Sequence, residues 1–301
     1  MKRIVVTGTG LAVPGLDRPL DLFGDGSPAV GFDPATALKG KEMRGKDRAS
    51  RLGLCAADAA LRDAGLLADD GTYREPGEAT AVVVSSNLGT LETACEFTDT
   101  VARETVTGLS PLGLPQTSSN VVAGWIAIRY GLRGPNLTVC NGATSGLDAV
   151  HWACHLILAG RCRRAVVVGV EPPPRPSESS SDRNRATSPP PWSWRAPPTR
   201  PDEAPARTRP SPPTPAAPTP RAPSPSPSPR SPVPVELRLA TGHLDLTDRF
   251  GDCSGALGVL QCAAGADHVR THGTGAVLAV AGGTAADDAA AALLLTTEHR
   301  N

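Results

Sequence analysis

Apolar residues along this chain recur with two periods, and segments of the two kinds alternate. IVVTGTG (Ile4–Gly10) is a short continuous apolar run ending in glycines, which predicts a buried strand entering a turn. RASRLGLCAADAALRDAGL (Arg48–Leu66) carries apolar residues at helical spacing and stops at Gly65. ATAVVVSSNLG (Ala79–Gly89) predicts a second buried strand, SNVVAGWIAIRYGL (Ser119–Leu132) a helix ending at glycine, and NLTVC (Asn136–Cys140) a third strand. SGLDAVHWACHLILAGRC (Ser145–Cys162) reads as a long apolar helix and RAVVVGVE (Arg164–Glu171) as a strand. Further on, SGALGVLQCAAGADHV (Ser254–Val269) is helical, and GAVLAVAGG (Gly275–Gly283) is a strand ending in two glycines. Continuous apolar strands alternating with helices predict an α/β layered fold with covered sheets.

The pattern stops abruptly between these two groups. Of the 31 prolines, 23 lie between Pro172 and Pro234, and the stretch up to Pro232 has no Val, Ile, Leu, Phe or Met. Such a segment cannot bury enough apolar surface to offset the entropy of ordering, so it is expected to be disordered with polyproline II character. Trp192 and Trp194 are its two aromatic anchors. Three parts follow: residues 1–171, a Pro/Arg/Ser-rich segment 172–235, and residues 236–301.

Charge and cysteine usage narrow the classes. Thirty basic and thirty acidic residues leave no net charge, which argues against a nucleic-acid partner. Seven cysteines without a CxxC pair do not read as a disulfide framework or a zinc site. No run reaches the roughly 18 apolar residues of a membrane span, and no export signal is visible. A reduced, cytoplasmic setting is expected.

Several segments, taken in order, resemble the β-ketoacyl synthases, the condensing enzymes of fatty-acid and polyketide synthesis. They are MKRIVVTGTGLAVPG, Phe32–Leu66, Leu109–Val139 with Asn120 and Gly134-Pro135, RRAVVVGVE, Phe250–Ala263 and Leu278–Leu295. The resemblance covers residues 1–171 and 242–296. It implies a thiolase-like layered fold of two βαβαβαββ halves, the second here incomplete, usually in a dimer. It implies an acyl carrier protein as substrate-bearing partner and no cofactor, membrane or nucleic acid.

The family's chemistry needs a cysteine at a helix N-terminus, where the dipole favours thiolate, and two histidines that assist decarboxylation. Its elbow reads GPxxTVxTACASG. Laid on Gly134–Gly146, the cysteine column falls on Ala143, within the acyl-pocket stretch Gly142, Ala143, Thr144, Ser145, Gly146. A methyl group cannot form a thioester. Cys140 is the substitute to weigh, three residues early on the strand, where a buried apolar role is the plainer reading. Thr144 and Ser145 are expected to cap the helix. The family's GHxxGAAG histidine falls on Asp252, which is expected to cap a helix instead. Thr271-His272-Gly273-Thr274-Gly275 looks like the family's HGTGT but follows Asp252, in the wrong order. The family's terminal FGFGG is Ala279–Gly283, with Gly282 and Gly283 kept and the aromatics missing.

His151 and His155, four apart beside Cys154, read as core or interface histidines, since no third ligand is evident; no metal site is expected. Gly8, Gly10 and Gly15 mark a tight turn rather than a dinucleotide loop. A kept framework around a missing nucleophile points to a non-catalytic subunit. The family's chain-length factor is such a subunit, paired with an active ketosynthase, though its usual glutamine is Ala143 here. Two alternatives stand beside it. One is a divergent condensing or malonyl-decarboxylating enzyme using Cys140 or water. The other is a non-functional chain whose proline-rich segment arose by a reading-frame shift.

Overall fold

The computed structural model describes residues 3–24, 32–38, 40, 43–171, 235–273, 275–282 and 290–296. The expectation of disorder for residues 172–234, with Trp192 and Trp194, falls outside the described residues, as does Gly283. The chain divides into two units, residues 1–174 with 233–301, and residues 175–232; every described residue belongs to the first.

Three strands, β1 (Thr80–Ser85), β2 (Asn136–Val139) and β3 (Arg164–Gly169), form a parallel sheet in the order β2-β1-β3. Every residue of β1 is buried, as its unbroken apolar run requires of a central parallel strand. The alternation of side chains splits it between two cores. Val82 and Val84 join Leu54, Val122 and Ile126, whereas Val83 joins Ala149 and Ala153.

The helices, in chain order, are α1 (Pro34–Ala37), α2 (Arg48–Asp63), α3 (Leu91–Glu104), α4 (Val121–Tyr130), α5 (Ser145–Leu158), α6 (Leu246–Phe250) and α7 (Leu257–His272). The Asp47 carboxylate accepts from the Ser50 amide at 2.6 Å and so starts α2. Helices α2 and α4 cover one face of the first sheet and α5 the other.

The second sheet, β4 (Val235–Leu239), β5 (Ala276–Gly282) and β6 (Ala290–Thr296), runs β4-β5-β6, parallel then antiparallel. Helices α5 and α7 lie between the two sheets, where Leu147 and Cys262 meet Ala279 and Ala281. Gln261 of α7 is buried there and donates to the carbonyls of Leu239 and Val280 at 3.1 and 3.0 Å, so it satisfies sheet carbonyls from above. The layers are thus α2/α4, sheet, α5/α7, sheet.

Ile4–Gly10 corrects the sequence reading: among the described residues it pairs with no strand. Val5 and Val6 remain 59% and 56% exposed. The segment lies on α2 instead. A Cβ at Gly8 would stand 2.5 Å from the Ala60 carbonyl oxygen, and one at Gly10 would stand 2.4 Å from the Ala60 nitrogen. Only glycine allows that approach. Asp63 fixes it by accepting from the Thr9 amide at 2.8 Å.

A carboxylate network continues from there. Arg270 donates to Asp63 at 2.9 Å and to Asp267 at 2.8 Å. Asp267, fully buried, also accepts from Arg18 at 3.2 Å and from the Leu20 amide at 3.1 Å. These bonds hold both carboxyls below the usual aspartate range despite the opposing effect of burial.

Candidate functional site

The site forms where β2 ends and α5 begins. After Val139 the chain turns through Gly142, at φ +63°, and a single 3-10 turn (Gly142–Thr144) into α5. Ala143 sits half-exposed at that helix end and Ser145 is fully buried. The expected helix caps are absent, since neither the Thr144 nor the Ser145 hydroxyl accepts from an amide of the first turn of α5. Their bonds go elsewhere. Thr144 Oγ1 donates to Asp148 at 2.7 Å. Ser145 Oγ accepts from the Asn141 amide at 2.6 Å and donates to Asn87 Oδ1 at 2.8 Å. A buried hydroxyl committed on both sides is a strut and offers no attacking oxygen.

Asn87, just past β1, is the hub. Besides accepting from Ser145, its amide nitrogen donates to the Gly142 carbonyl and to Ser254 Oγ, each at 2.8 Å. One side chain therefore joins the elbow to the turn before α7, 167 residues away. Glu171, just past β3, works alongside it. Its carboxylate accepts from the backbone amides of Asn87, Leu88 and Gly255, and burial pushes its pKa above the usual glutamate value against those bonds. Neither residue carries a sequence motif. The signal that could have found them is position, because both lie at the carboxyl ends of parallel strands, where α/β folds gather their sites.

The two helices that start here touch backbone to backbone. A Cβ at Gly146 would stand 2.6 Å from the Gly258 nitrogen, and one at Gly258 would stand 2.4 Å from the Leu147 nitrogen. Ala143 and Asp252, the positions the resemblance assigns to the family's cysteine and histidine, precede the two glycines of this crossing in sequence. Asp252 accepts from the Ser254 amide at 2.8 Å just before the 3-10 turn (Ser254–Ala256), but the N-cap position is Cys253 and neither this turn nor α7 has a side-chain cap, so the expected helix cap is not made. Ser254 itself stands at φ +40°, unusual for a residue with a side chain.

Thiols near the site divide by exposure. Cys140 corrects its expected buried role: it is exposed, with Sγ 3.9 Å from the Asn87 carbonyl, a weak contact at most. Cys253 and Cys262 are buried, and burial pushes their thiols up to about 11 and about 12, with Asp252 and Asp245 adding to the rise at Cys253. Both stay protonated and unreactive at neutral pH. All seven cysteines are free.

His151 and His155 are both exposed on α5, so of the two roles expected for them the core one is not met. His272 closes α7, with Nδ1 3.0 Å from the His268 carbonyl, and Gly273 ends that helix at φ +73°. The HGTGT-like stretch is thus a helix terminus, with Thr274 outside the described residues. Gly282 ends β5 at φ +74°. Among the described residues no helix is long and apolar enough to cross a membrane.

Residues 27–189 match the family model described as beta-ketoacyl synthase, N-terminal domain. The chain is 30% identical over 204 residues to 3-oxoacyl-[acyl-carrier-protein] synthase 2 of Rhizobium meliloti, covering 58% of this chain and 48% of that one. A Streptomyces halstedii protein named as a polyketide beta-ketoacyl synthase is 32% identical, covering 53% and 44%. Among solved structures, the ishigamide ketosynthase/chain length factor aligns with a TM-score of 0.47 at 29% identity, over 56% of this chain and 52% of that one. The chain spans about half the length of these relatives, or less.

Proposed function

The chain belongs to the β-ketoacyl synthase family, and from that premise we propose that it serves fatty-acid or polyketide assembly as a subunit without condensing activity of its own. One observation carries this reading. The elbow, the helix behind it and the docked start of α7 are built and hydrogen-bonded, while the residue at the nucleophile position, Ala143, has only a methyl group. A helix end that would favour thiolate has no sulfur to ionise. The role we assign is that of a chain-length-factor-like partner to an active ketosynthase, which receives its chain from an acyl carrier protein in a reduced cytoplasm. No cofactor enters this reading.

Intact-mass spectrometry after incubation with an acyl thioester tests it. The wild-type chain is expected to gain no acyl adduct, and Ala143→Cys to gain one. A stoichiometric adduct on the wild type would sink the proposal. For the pairing role, co-expression with an active ketosynthase is expected to yield a one-to-one complex on native mass spectrometry.

The exposure of Cys140 favours a second reading, a divergent acyl-transfer or malonyl-decarboxylating enzyme using that thiol. Against it, the thiol lacks a general base: no imidazole hydrogen-bonds it among the described residues. If Cys140→Ser abolished malonyl-thioester decarboxylation by the purified chain, this reading would replace the first.

A further inference from the structure

Helix α5 packs on the first sheet through Ala149 and Ala153, meets the second through Leu147, and leaves a further side to solvent. On the solvent side stand His151 and His155, one helical turn apart, with ring centroids 4.3 Å from each other at 73°. Two imidazoles that share one cation, each bound through nitrogen at about 2.0–2.1 Å, hold their ring centres about 5 Å apart. Helical spacing alone thus brings this pair within a small rotamer adjustment of that arrangement. Among the described residues neither ring has a hydrogen-bond or ion-pair partner, and both side chains are exposed.

The other histidine pair at this spacing, His268 and His272, sets the contrast. Its rings are stacked at 29°, His268 packs edge-on against Phe23, and His272 Nδ1 is engaged by a carbonyl. Cys154 does not extend the first pair. It is half-buried, and burial pushes its thiol above the usual cysteine value. Among the described residues no group of three or more His, Cys, Asp or Glu gathers for a metal. The set is therefore two imidazoles, which suits borderline transition metals and excludes the oxygen-seeking Mg2+ and Ca2+.

We propose that His151 and His155 form a two-imidazole site for a first-row divalent cation of the Cu2+, Ni2+ and Zn2+ class on the solvent face of α5. Water fills the remaining coordination positions in the isolated chain. The affinity order is Cu2+ first, as for imidazole sites generally. The site is independent of any acyl chemistry at the elbow.

Trp152 supplies a reporter. It is 52% exposed, and its ring lies 6.3 Å from that of His155, within reach of quenching by Cu2+ or Ni2+. The experiment is titration of the full, tag-free chain with CuCl2 and NiCl2, read by calorimetry and by tryptophan fluorescence. One saturable equivalent is expected, weakened at least tenfold in His151→Ala and in His155→Ala and unchanged in the His268→Ala/His272→Ala double variant. The quenching is expected to vanish in Trp152→Phe while the calorimetric binding stays. His151, His155, Trp152 and His272 are exposed and His268 is half-buried, so circular dichroism checks that each variant keeps the parent fold. Absence of saturable binding in the parent would overturn the proposal. So would affinity within twofold of the parent in His151→Ala/His155→Ala, or quenching of undiminished amplitude in Trp152→Phe.

Discussion

At the scale of single residues, Asn87 and the carboxylates of Asp63 and Asp267 tie distant parts of the chain together. Asn87 makes three side-chain hydrogen bonds that tie together the elbow, Ser145 and Ser254. Its replacement by alanine strands buried partners such as Ser145, and at about 1 kcal/mol per bond it is expected to cost about 2–3 kcal/mol in urea unfolding. The carboxylates of Asp63 and Asp267 make a prediction with a sign. Their folded pKa values lie below the unfolded ones, so their stabilisation is complete above about pH 4 and is lost as pH falls through the lowered values. Thermal melts are therefore expected to fall steeply on acidification, and Arg270→Ala to flatten that fall while lowering stability at neutral pH. Partial exposure of Arg18 and Arg270 keeps the neutral-pH loss to about 1 kcal/mol.

At the scale of elements, the legible part of the fold is the part whose partners repeat a local period. The apolar run of β1 and the helical spacing of α2, α4, α5 and α7 place these elements within a few residues of where they form. Ile4–Gly10 shows the limit. Its composition is that of a strand, but a strand needs a neighbour for its amides, and no local pattern tells whether one exists. The same holds for exposure. Cys140 looks like a core residue in an apolar context, yet it faces out, because what covers a strand end lies far off in sequence. Asn87 and Glu171 escaped notice for the same reason, their partners lying 55 to 167 residues away. The crossing of α5 and α7 is where an element-scale prediction belongs. Gly258→Ala drives a methyl group into the Leu147 backbone and is expected to cost about 3 kcal/mol, read as a drop in thermal midpoint.

At the scale of the whole molecule, the layers are uneven. The first sheet has helices on both faces, while Val5, Val6, Ile128 and Leu294 stay open to water, and β2 ends the first sheet as an edge strand. Open apolar surface and an open edge favour association with another chain. Adding an active ketosynthase is therefore expected to raise the thermal midpoint in proportion to the logarithm of its concentration, as linkage requires. The buried Asp267 bears on another matter, the order in which the chain assembles. It binds the Leu20 amide and the Arg18 guanidinium, residues 247 and 249 positions earlier. On a ribosome that emits about 5–20 residues per second, the segment around Leu20 waits on the order of ten seconds or more for the carboxylate that anchors it. Contacts so distant along the chain also slow the search for the native state in solution. During that interval the amino-terminal region is left to chaperones, and the yield of folded protein depends on how well they hold it.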